Sequence, residues 1–439
     1  MIADAEPKAI QGDVILTTLQ NKRVLLLQGP VGPFFSRLRK DLELLSSTVF
    51  KINLNGGDWF FYSKKSIQYR GSIDEWPAFL TQLIARLHID AIILFGDCRI
   101  YHRTAIEIAR RVNVEIKVFE EGYFRPDYIT LEGSGVNGYS LLAKDASHYR
   151  AHGSLEQRLA KPVGNAFWHA AMWAFLYYAA SVVLGPCFKH YRHHRSLQLT
   201  EAFYWLRSLW RKLLYKIIER KIQESLLGKR SRKFFLVPLQ THNDYQINVH
   251  SSYGSIEEFI QEVVKSFAEH ASQDTSIVIK HHPMDRAYQD YTFLIRQLRK
   301  EYALGQRLEY VHDLHLPSLL KNAIGVIVIN STVGLSALFH GAPVKACGKA
   351  IYDISGMTYQ GELKCFWSDA GSFKFDRELY RLFRQYVIRH TQVNGNFYKK
   401  IPKSSFSSGV DWSMPAFKNE ISTGIGLNAG SSFANSELQ

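Results

Sequence analysis

The chain has 439 residues, enough for two domains of roughly 150 to 200 residues with material to spare. A hydrophobic share of 46% and a charged share of 21% are those of a globular protein with real cores, and 54 Lys and Arg against 40 Asp and Glu leave a formal charge of +14. That surplus suits an anionic partner, yet no helix-turn-helix, zinc-finger or aromatic-and-basic RNA-binding motif accompanies it, so nucleic acid is not expected. The four cysteines, Cys98, Cys187, Cys347 and Cys365, form no close pair; they fit neither a disulfide framework nor a zinc site, and suit a reducing cytoplasm. The stretch from Met1 to Asp13 has no basic segment followed by an apolar run, so no signal peptide is expected.

The first organised element runs from Arg23 to Gln28 and breaks at Gly29-Pro30-Val31-Gly32-Pro33, the pattern of a buried parallel strand opening into a loop. Similar runs follow at Thr48 to Leu54, Ala91 to Phe95 and Glu115 to Phe119, with helix-like stretches at Trp76 to Leu87 and Arg103 to Arg111. After the third run comes the polar cluster Gly96-Asp97-Cys98-Arg99, with Tyr101-His102-Arg103. Asp97, Arg99 and His102 can hold an acidic substrate there, or the cluster is a capped helix start. After the fourth run comes Glu120-Glu121-Gly122-Tyr123-Phe124-Arg125. Adjacent carboxylates at a strand end can supply a general base, and a nearby Arg can keep one ionised; the same residues could also form a surface ion pair.

Ala166 to Cys187 holds 22 residues without Asp, Glu, Lys or Arg, and is rich in Trp and Tyr. The following stretch from Lys189 to Lys233 carries 13 basic residues, Arg195 among them, against three acidic ones. Trp205, Leu209, Leu213 and Ile217 recur at helical spacing. A helix with an aromatic-apolar face and a cationic face is expected to lie on an anionic membrane surface rather than to cross it. Packing of the same segment on the protein core is the competing expectation.

Strand and helix signals resume at Phe234 to Leu239, Ser276 to Lys280, Leu308 to Val311 and Ile324 to Ile329, with helices at Ile256 to Ala271, Tyr291 to Tyr302, Leu316 to Lys321 and Val333 to His340. Three polar motifs close these strands. In Gln240-Thr241-His242-Asn243-Asp244 the carboxylate can act as a nucleophile toward an anomeric carbon, or cap the next helix. In Lys280-His281-His282-Pro283 a cation and an imidazole can bind phosphate; the His pair lacks ligand-spaced partners, so no metal is expected. Asn330-Ser331-Thr332-Val333-Gly334 opens a helix and offers hydroxyls and N–H groups to an anion, or is an ordinary N-cap. The Ser- and Gly-rich stretch after Lys403 reads as a flexible tail.

Two Rossmann-like units without a GxGxxG fingerprint point away from a dinucleotide oxidoreductase and toward an α/β, GT-B-like architecture with a ligand cleft between the units. The expected division is an N-terminal unit at residues 1–150, a helical membrane-associating insert at 151–233, a nucleotide-sugar unit at 234–400 and a flexible tail at 401–439.

The ordered set GDCRIYHR, EEGYFRP, QTHND, KHHP and NSTVGLSALFHGAPV resembles the capsule polysaccharide synthesis proteins of the KpsS/LipB type, between about Val24 and Pro343. The resemblance implies a retaining β-Kdo transferase that uses CMP-Kdo and starts a poly-Kdo linker on lysophosphatidylglycerol. It further implies a cytoplasmic protein, peripheral on the inner face of the bacterial inner membrane and acting with other capsule assembly proteins. Asp244 then matches the nucleophile, with Asp97 left open as its competitor, and Glu120 and Glu121 match the acidic pair that activates the acceptor hydroxyl. His282-Pro283 and Ser331-Thr332 match elements that hold CMP, with Lys280, Gln240 and Arg125 as further donor contacts. No cofactor and no essential metal are implied. The competing readings are a non-catalytic assembly factor that binds lipid-linked glycan, an epimerase, and a transferase using another CMP-sugar.

Overall fold

A computed structural model describes residues 17–155, 160–192 and 201–412. The apolar runs up to Gly133 form one sheet from β1 (Arg23–Leu26), β2 (Thr48–Asn53), β3 (Ile67–Gln68), β4 (Ala91–Phe95), β5 (Glu115–Glu121) and β6 (Tyr128–Gly133). Their spatial order is β6-β5-β4-β1-β2-β3, parallel except that β6 runs antiparallel to β5. Helices α1 (Phe34–Leu44), α2 (Gly56–Phe61), α3 (Trp76–Leu87) and α4 (Ile100–Arg111) lie between the strands. Leu25, Leu27, Ile92 and Leu94 pack toward α3 and α4, and Val24, Leu26 and Ile93 toward α1. Burial on both faces is why these strands read as unbroken apolar runs.

The chain then forms α5 (Ala146–His152), α6 (Phe167–Val183), α7 (Glu201–Ile218) and α8 (Arg220–Leu227). Helix α6 lies against α2 at unusually short range. A Cβ on Gly56 would come within 2.5 Å of the Ala180 carbonyl oxygen, and one on Gly57 within 2.7 Å of the Tyr177 ring and the Ser181 hydroxyl. The Gly56-Gly57 pair is what permits this approach. Tyr177 and Ser181 are the buried residues of α6, whereas Phe167, Trp168, Met172, Phe175 and Val183 face outward, Trp168 at 77% exposure. Among the described residues no helix is long and apolar enough to cross a membrane.

Helix α7 turns Arg211 and Tyr215 inward, and Glu219, which follows it, is buried beside them. Tyr215 stacks on His312 with ring centroids 3.8 Å apart, and the Glu219 carboxylate accepts from the His312 ring at 3.0 Å and the Asp313 backbone at 2.9 Å. Trp210, Leu213, Leu214, Ile217 and Ile218 are exposed. Of the apolar face expected from sequence, Leu213 and Ile217 thus point away from the protein; the side chains of Trp205 and Leu209, and Arg195, lie outside the described residues.

The second sheet is parallel throughout, with β7 (Phe234–Pro238), β8 (Ser276–Lys280), β9 (Leu308–Val311), β10 (Gly325–Val328) and β11 (Val344–Ala346) in the order β11-β10-β7-β8-β9. Helices α9 (Tyr245–His250), α10 (Ile256–His270), α11 (Thr292–Glu301), α12 (Leu316–Asn322), α13 (Val333–Phe339), α14 (Leu363–Asp369) and α15 (Arg377–Thr391) complete this unit. Both units are doubly wound, with topological switch points between β1 and β4 and between β7 and β10, and together they make the GT-B-like arrangement expected.

One expected boundary is displaced. After α15 the chain returns to the first sheet, where β12 (Gln392–Asn394) pairs antiparallel with β6. Phe397 then meets Phe34, Phe95 and Phe119 edge-on, at centroid distances of 4.9, 5.2 and 5.9 Å. The buried Asp41 carboxylate accepts from the Ser407 and Ser408 backbone and from the Trp412 indole. The C-terminal unit therefore closes near Thr391 instead of residue 400, and residues 401–412 are packed on the N-terminal core instead of forming a tail. Residues 413–439 lie outside the described residues.

Candidate active site

The polar motifs sit at the carboxyl ends of the strands that flank the two switch points, where open α/β sheets place ligands. The loop after β4 meets α9 at Cys98. Its sulfur receives the Gln246 side-chain amide at 3.6 Å and lies 4.0 Å from the His250 ring. Burial pushes the thiol pKa up, and the carboxylates of Asp97, Glu120 and Asp244 push it further. Acidic groups from both units therefore bear on Cys98.

Glu120 is the penultimate residue of β5, enclosed by protein yet partly accessible. Burial pushes its carboxyl up to about 7; Glu121 and Asp97 add to the rise, while the Glu121 backbone N–H, at 2.9 Å, and the Arg99 guanidinium oppose it. A carboxyl poised near neutrality is suited to proton abstraction. Glu121 accepts from the Tyr398 hydroxyl at 2.8 Å, and the Tyr398 carbonyl accepts from the Trp173 indole at 2.9 Å. Arg99 donates to the Gln28 side-chain oxygen at 3.0 Å and lies over Phe95.

Asp97 and His102 occupy different ground from that expected. Asp97 is 1% exposed; one oxygen accepts from the Val136 backbone at 2.8 Å and the other from the Cys98 thiol at 3.2 Å. His102 is fully buried, with Nδ1 2.7 Å from the Gly96 carbonyl, and burial brings its pKa down to about 3. Both hold the loop that presents Cys98 and Arg99, and neither is open to a substrate. Of the three residues, Arg99 is the one that reaches the cleft.

On the opposite side, Asp244 caps α9, accepting from the Gln246 backbone at 3.0 Å and from the Gln240 amide at 3.1 Å. Gln240 also donates to Asn330 at 3.0 Å, which ties the β7 and β10 loops together. His282 accepts from the Met284 backbone through Nδ1 at 3.2 Å, which leaves the ring proton on Nε2. Burial, with Lys280 and Arg125 nearby, brings its pKa down to about 4, so the ring is neutral at pH 7. Pro283 is exposed beside it. Ser331 accepts from the Val333 backbone, and the Thr332 hydroxyl accepts from Arg125 at 3.2 Å across the cleft.

Lys280 departs from expectation. It is 5% exposed, its amine donates to the His312 carbonyl at 3.2 Å, and burial lowers its pKa to about 8. It braces the ends of β8 and β9 and is not open to a ligand. Among the described residues no group of three or more His, Cys, Asp or Glu side chains is placed to hold a metal ion. Sequence reasoning missed Gln28, Tyr177 and Tyr398. The position of Gln28 at the end of β1, before a Gly/Pro loop, was the one available signal.

Two Rossmann-like units with polar strand ends facing one cleft define a GT-B-like α/β protein. The chain belongs to the capsule polysaccharide biosynthesis protein family, whose model matches residues 90–398, from the start of β4 to Tyr398. It is 41% identical over 400 residues to the capsule polysaccharide export protein KpsS of Escherichia coli, covering 89% of this chain and 100% of that one. To the capsule polysaccharide modification protein LipB of Neisseria meningitidis serogroup B it is 40% identical over 402 residues, covering 88% and 96%. Among solved structures, the beta Kdo 2,7 transferase of Thermosulfurimonas dismutans KpsC aligns over 89% of this chain and 95% of its own, at 15% identity and a TM-score of 0.40.

Proposed function

We propose that this chain is a retaining β-Kdo glycosyltransferase that moves Kdo from CMP-Kdo to lysophosphatidylglycerol and so initiates the poly-Kdo linker of a capsular polysaccharide. The observation that carries this reading is convergence: Gln246, whose backbone donates to Asp244, reaches the Cys98 thiol of the other unit, while Arg125 reaches Thr332.

The chemistry follows as two displacements. Asp244, oriented by Gln240 and the Gln246 backbone, attacks the anomeric carbon; the bond to CMP breaks and its electron pair leaves with the phosphate. Arg125, the His282 Nε2–H and the Ser331 and Thr332 hydroxyls receive that charge. Glu120 then takes the proton of the acceptor hydroxyl as its oxygen displaces Asp244 from the original face. Asp97, 1% exposed where Asp244 is partly exposed, is the poorer nucleophile.

A lipid acceptor accounts for the outward apolar stripes of α6 and α7. With Arg207, Lys212 and Lys216 exposed beside them, they suit an anionic membrane surface, here the inner face of the inner membrane, where other capsule assembly proteins would also be met.

The test is intact mass. Protein incubated with CMP-Kdo alone is expected to gain one Kdo, and with lysophosphatidylglycerol added the Kdo is expected on the lipid. Asp244→Asn, which keeps a capping oxygen, is expected to lose both. Unmodified lipid that nevertheless binds tightly would favour the assembly-factor reading instead.

A further inference from the structure

Helix α6 turns the hydroxyls of Tyr177 and Ser181 to the protein and Phe167, Trp168, Met172, Phe175 and Val183 to the outside, unlike an ordinary surface helix. Trp173, Tyr177 and Ser181 share the inner face at four-residue spacing. Each is hydrogen-bonded to a cleft element or to a loop beside it. The Tyr177 hydroxyl is saturated: it accepts from Gln28 at 3.1 Å and Asn55 at 2.8 Å, and donates to Asp58 at 3.0 Å. The Gln28 amide donates among Asp58, Tyr177 and Tyr191, at 3.2, 3.1 and 3.0 Å, and this turns the Gln28 oxygen to Arg99, which donates to it at 3.0 Å.

Trp173 makes the second connection. Its ring lies on the loop after β1, where Gly32 has φ +105° and a Cβ would come within 3.0 Å of the indole. Its N–H holds the Tyr398 carbonyl at 2.9 Å, and the Tyr398 hydroxyl holds Glu121 at 2.8 Å. One helix therefore reaches both carboxylates of the acidic pair.

We infer that α6 is a positioning element of the transfer reaction, with Tyr177 acting on Glu120 through Gln28 and Arg99, and Trp173 acting on Glu121 through Tyr398. The inference rests on the reading of Glu120 as the base for the acceptor. The groups that face Glu120 are Glu121 from β5, Asp97, Cys98 and Arg99 from the loop after β4, and Tyr398 from the returning segment. The Glu121 backbone N–H and the Arg99 guanidinium favour the ionised form, and Arg99 is the side chain that does so. If Arg99 loses its anchor, the Glu120 pKa rises and the acid limb of the pH–rate profile moves to higher pH. The outward face of the same helix is the one proposed to meet lipid, so the element that receives the acceptor also sets the base that activates it.

The experiment uses the full chain with CMP-Kdo and a short-chain lysophosphatidylglycerol in micelles, with kcat and KM measured from about pH 5 to 9. Tyr177→Phe keeps the ring and removes the hydroxyl. It is expected to lower kcat several-fold at pH 7, to leave KM for CMP-Kdo unchanged, and to recover near pH 9, a recovery that also reports a folded protein. Arg99→Lys, which keeps the charge without the Gln28 bond, is expected to shift the limb less. Trp173→Phe is expected to lower kcat about tenfold without raising the donor KM. Wild-type acid limbs in Tyr177→Phe and Arg99→Lys, with wild-type kcat in Trp173→Phe, overturn the inference and leave the proposed function standing. Absence of Kdo transfer by the unmodified protein overturns both.

Discussion

The Arg125 guanidinium of the N-terminal unit donates to the Thr332 hydroxyl of the C-terminal unit at 3.2 Å, spanning the cleft at the mouth of α13. The same positive charge bears on His282. A phosphate entering between them would meet a cation, a neutral imidazole and a hydroxyl at once. Arg125→Ala is therefore expected to raise KM for CMP-Kdo by about ten- to a hundredfold, as loss of a charge-assisted hydrogen bond does. The melting temperature should change little, because the contact is exposed. A steady-state titration of the donor checks it.

Glu120 links activity to stability. Its folded-state pKa, about 7, stands above the ordinary 4.5, because burial disfavours the charge. The sign follows: its contribution to stability is fully present below the unfolded value and is lost as pH rises through about 7. The 6%-exposed Glu132, also pushed up to about 7 by burial, acts in the same direction. Melting temperature is expected to fall between about pH 5 and 8. Glu120→Gln should flatten that fall, gaining on the order of 1–3 kcal/mol at pH 8, while abolishing transfer at every pH. Thermal melts at several pH values decide it.

Phe397 tests the returning segment. It is 1% exposed and packs among Phe34, Phe95 and Phe119. Phe397→Ala is expected to destabilise the protein by about 3–5 kcal/mol, read from denaturant unfolding, through the cavity and the lost edge contacts. An effect below about 1 kcal/mol would mean that this segment is dispensable to the N-terminal core.

The outward stripes predict membrane binding. Trp168 is 77% exposed and Trp210 65%. Trp168→Ser and Trp210→Ser should each weaken co-sedimentation with vesicles containing anionic lipid by about tenfold, without lowering the melting temperature. Raised salt should weaken binding further, because the flanking cations are exposed. Equal binding to neutral vesicles would remove the electrostatic part of the argument.

Buried parallel strands carry their own signature, so β1, β4, β5, β7 and β10 were readable from sequence, and with them the strand ends bearing Glu120 and Asp244. Polar density at a strand end does not distinguish a residue that meets ligand from one that holds the loop. Asp97, His102 and Lys280 belong to the second kind, and only burial and partners reveal it. Tyr398 and Tyr177 were illegible for another reason: the groups they serve, Glu121 and Gln28, stand 277 and 149 residues away along the chain. Strand β12 has three residues, too few for any periodicity to announce it.

The pairing of β12 with β6 also fixes an order of events during synthesis. Gln392 meets Thr130, 262 residues earlier, so the first sheet is still missing its outer strand while the whole second unit is being made. Until then β6 presents an open edge, a surface on which a second nascent chain can pair. Expression at low temperature, or in the presence of a chaperone that shields strand edges, should raise the yield of soluble protein. A tag or stop placed after Thr391 should lower it, although every proposed catalytic side chain would still be encoded.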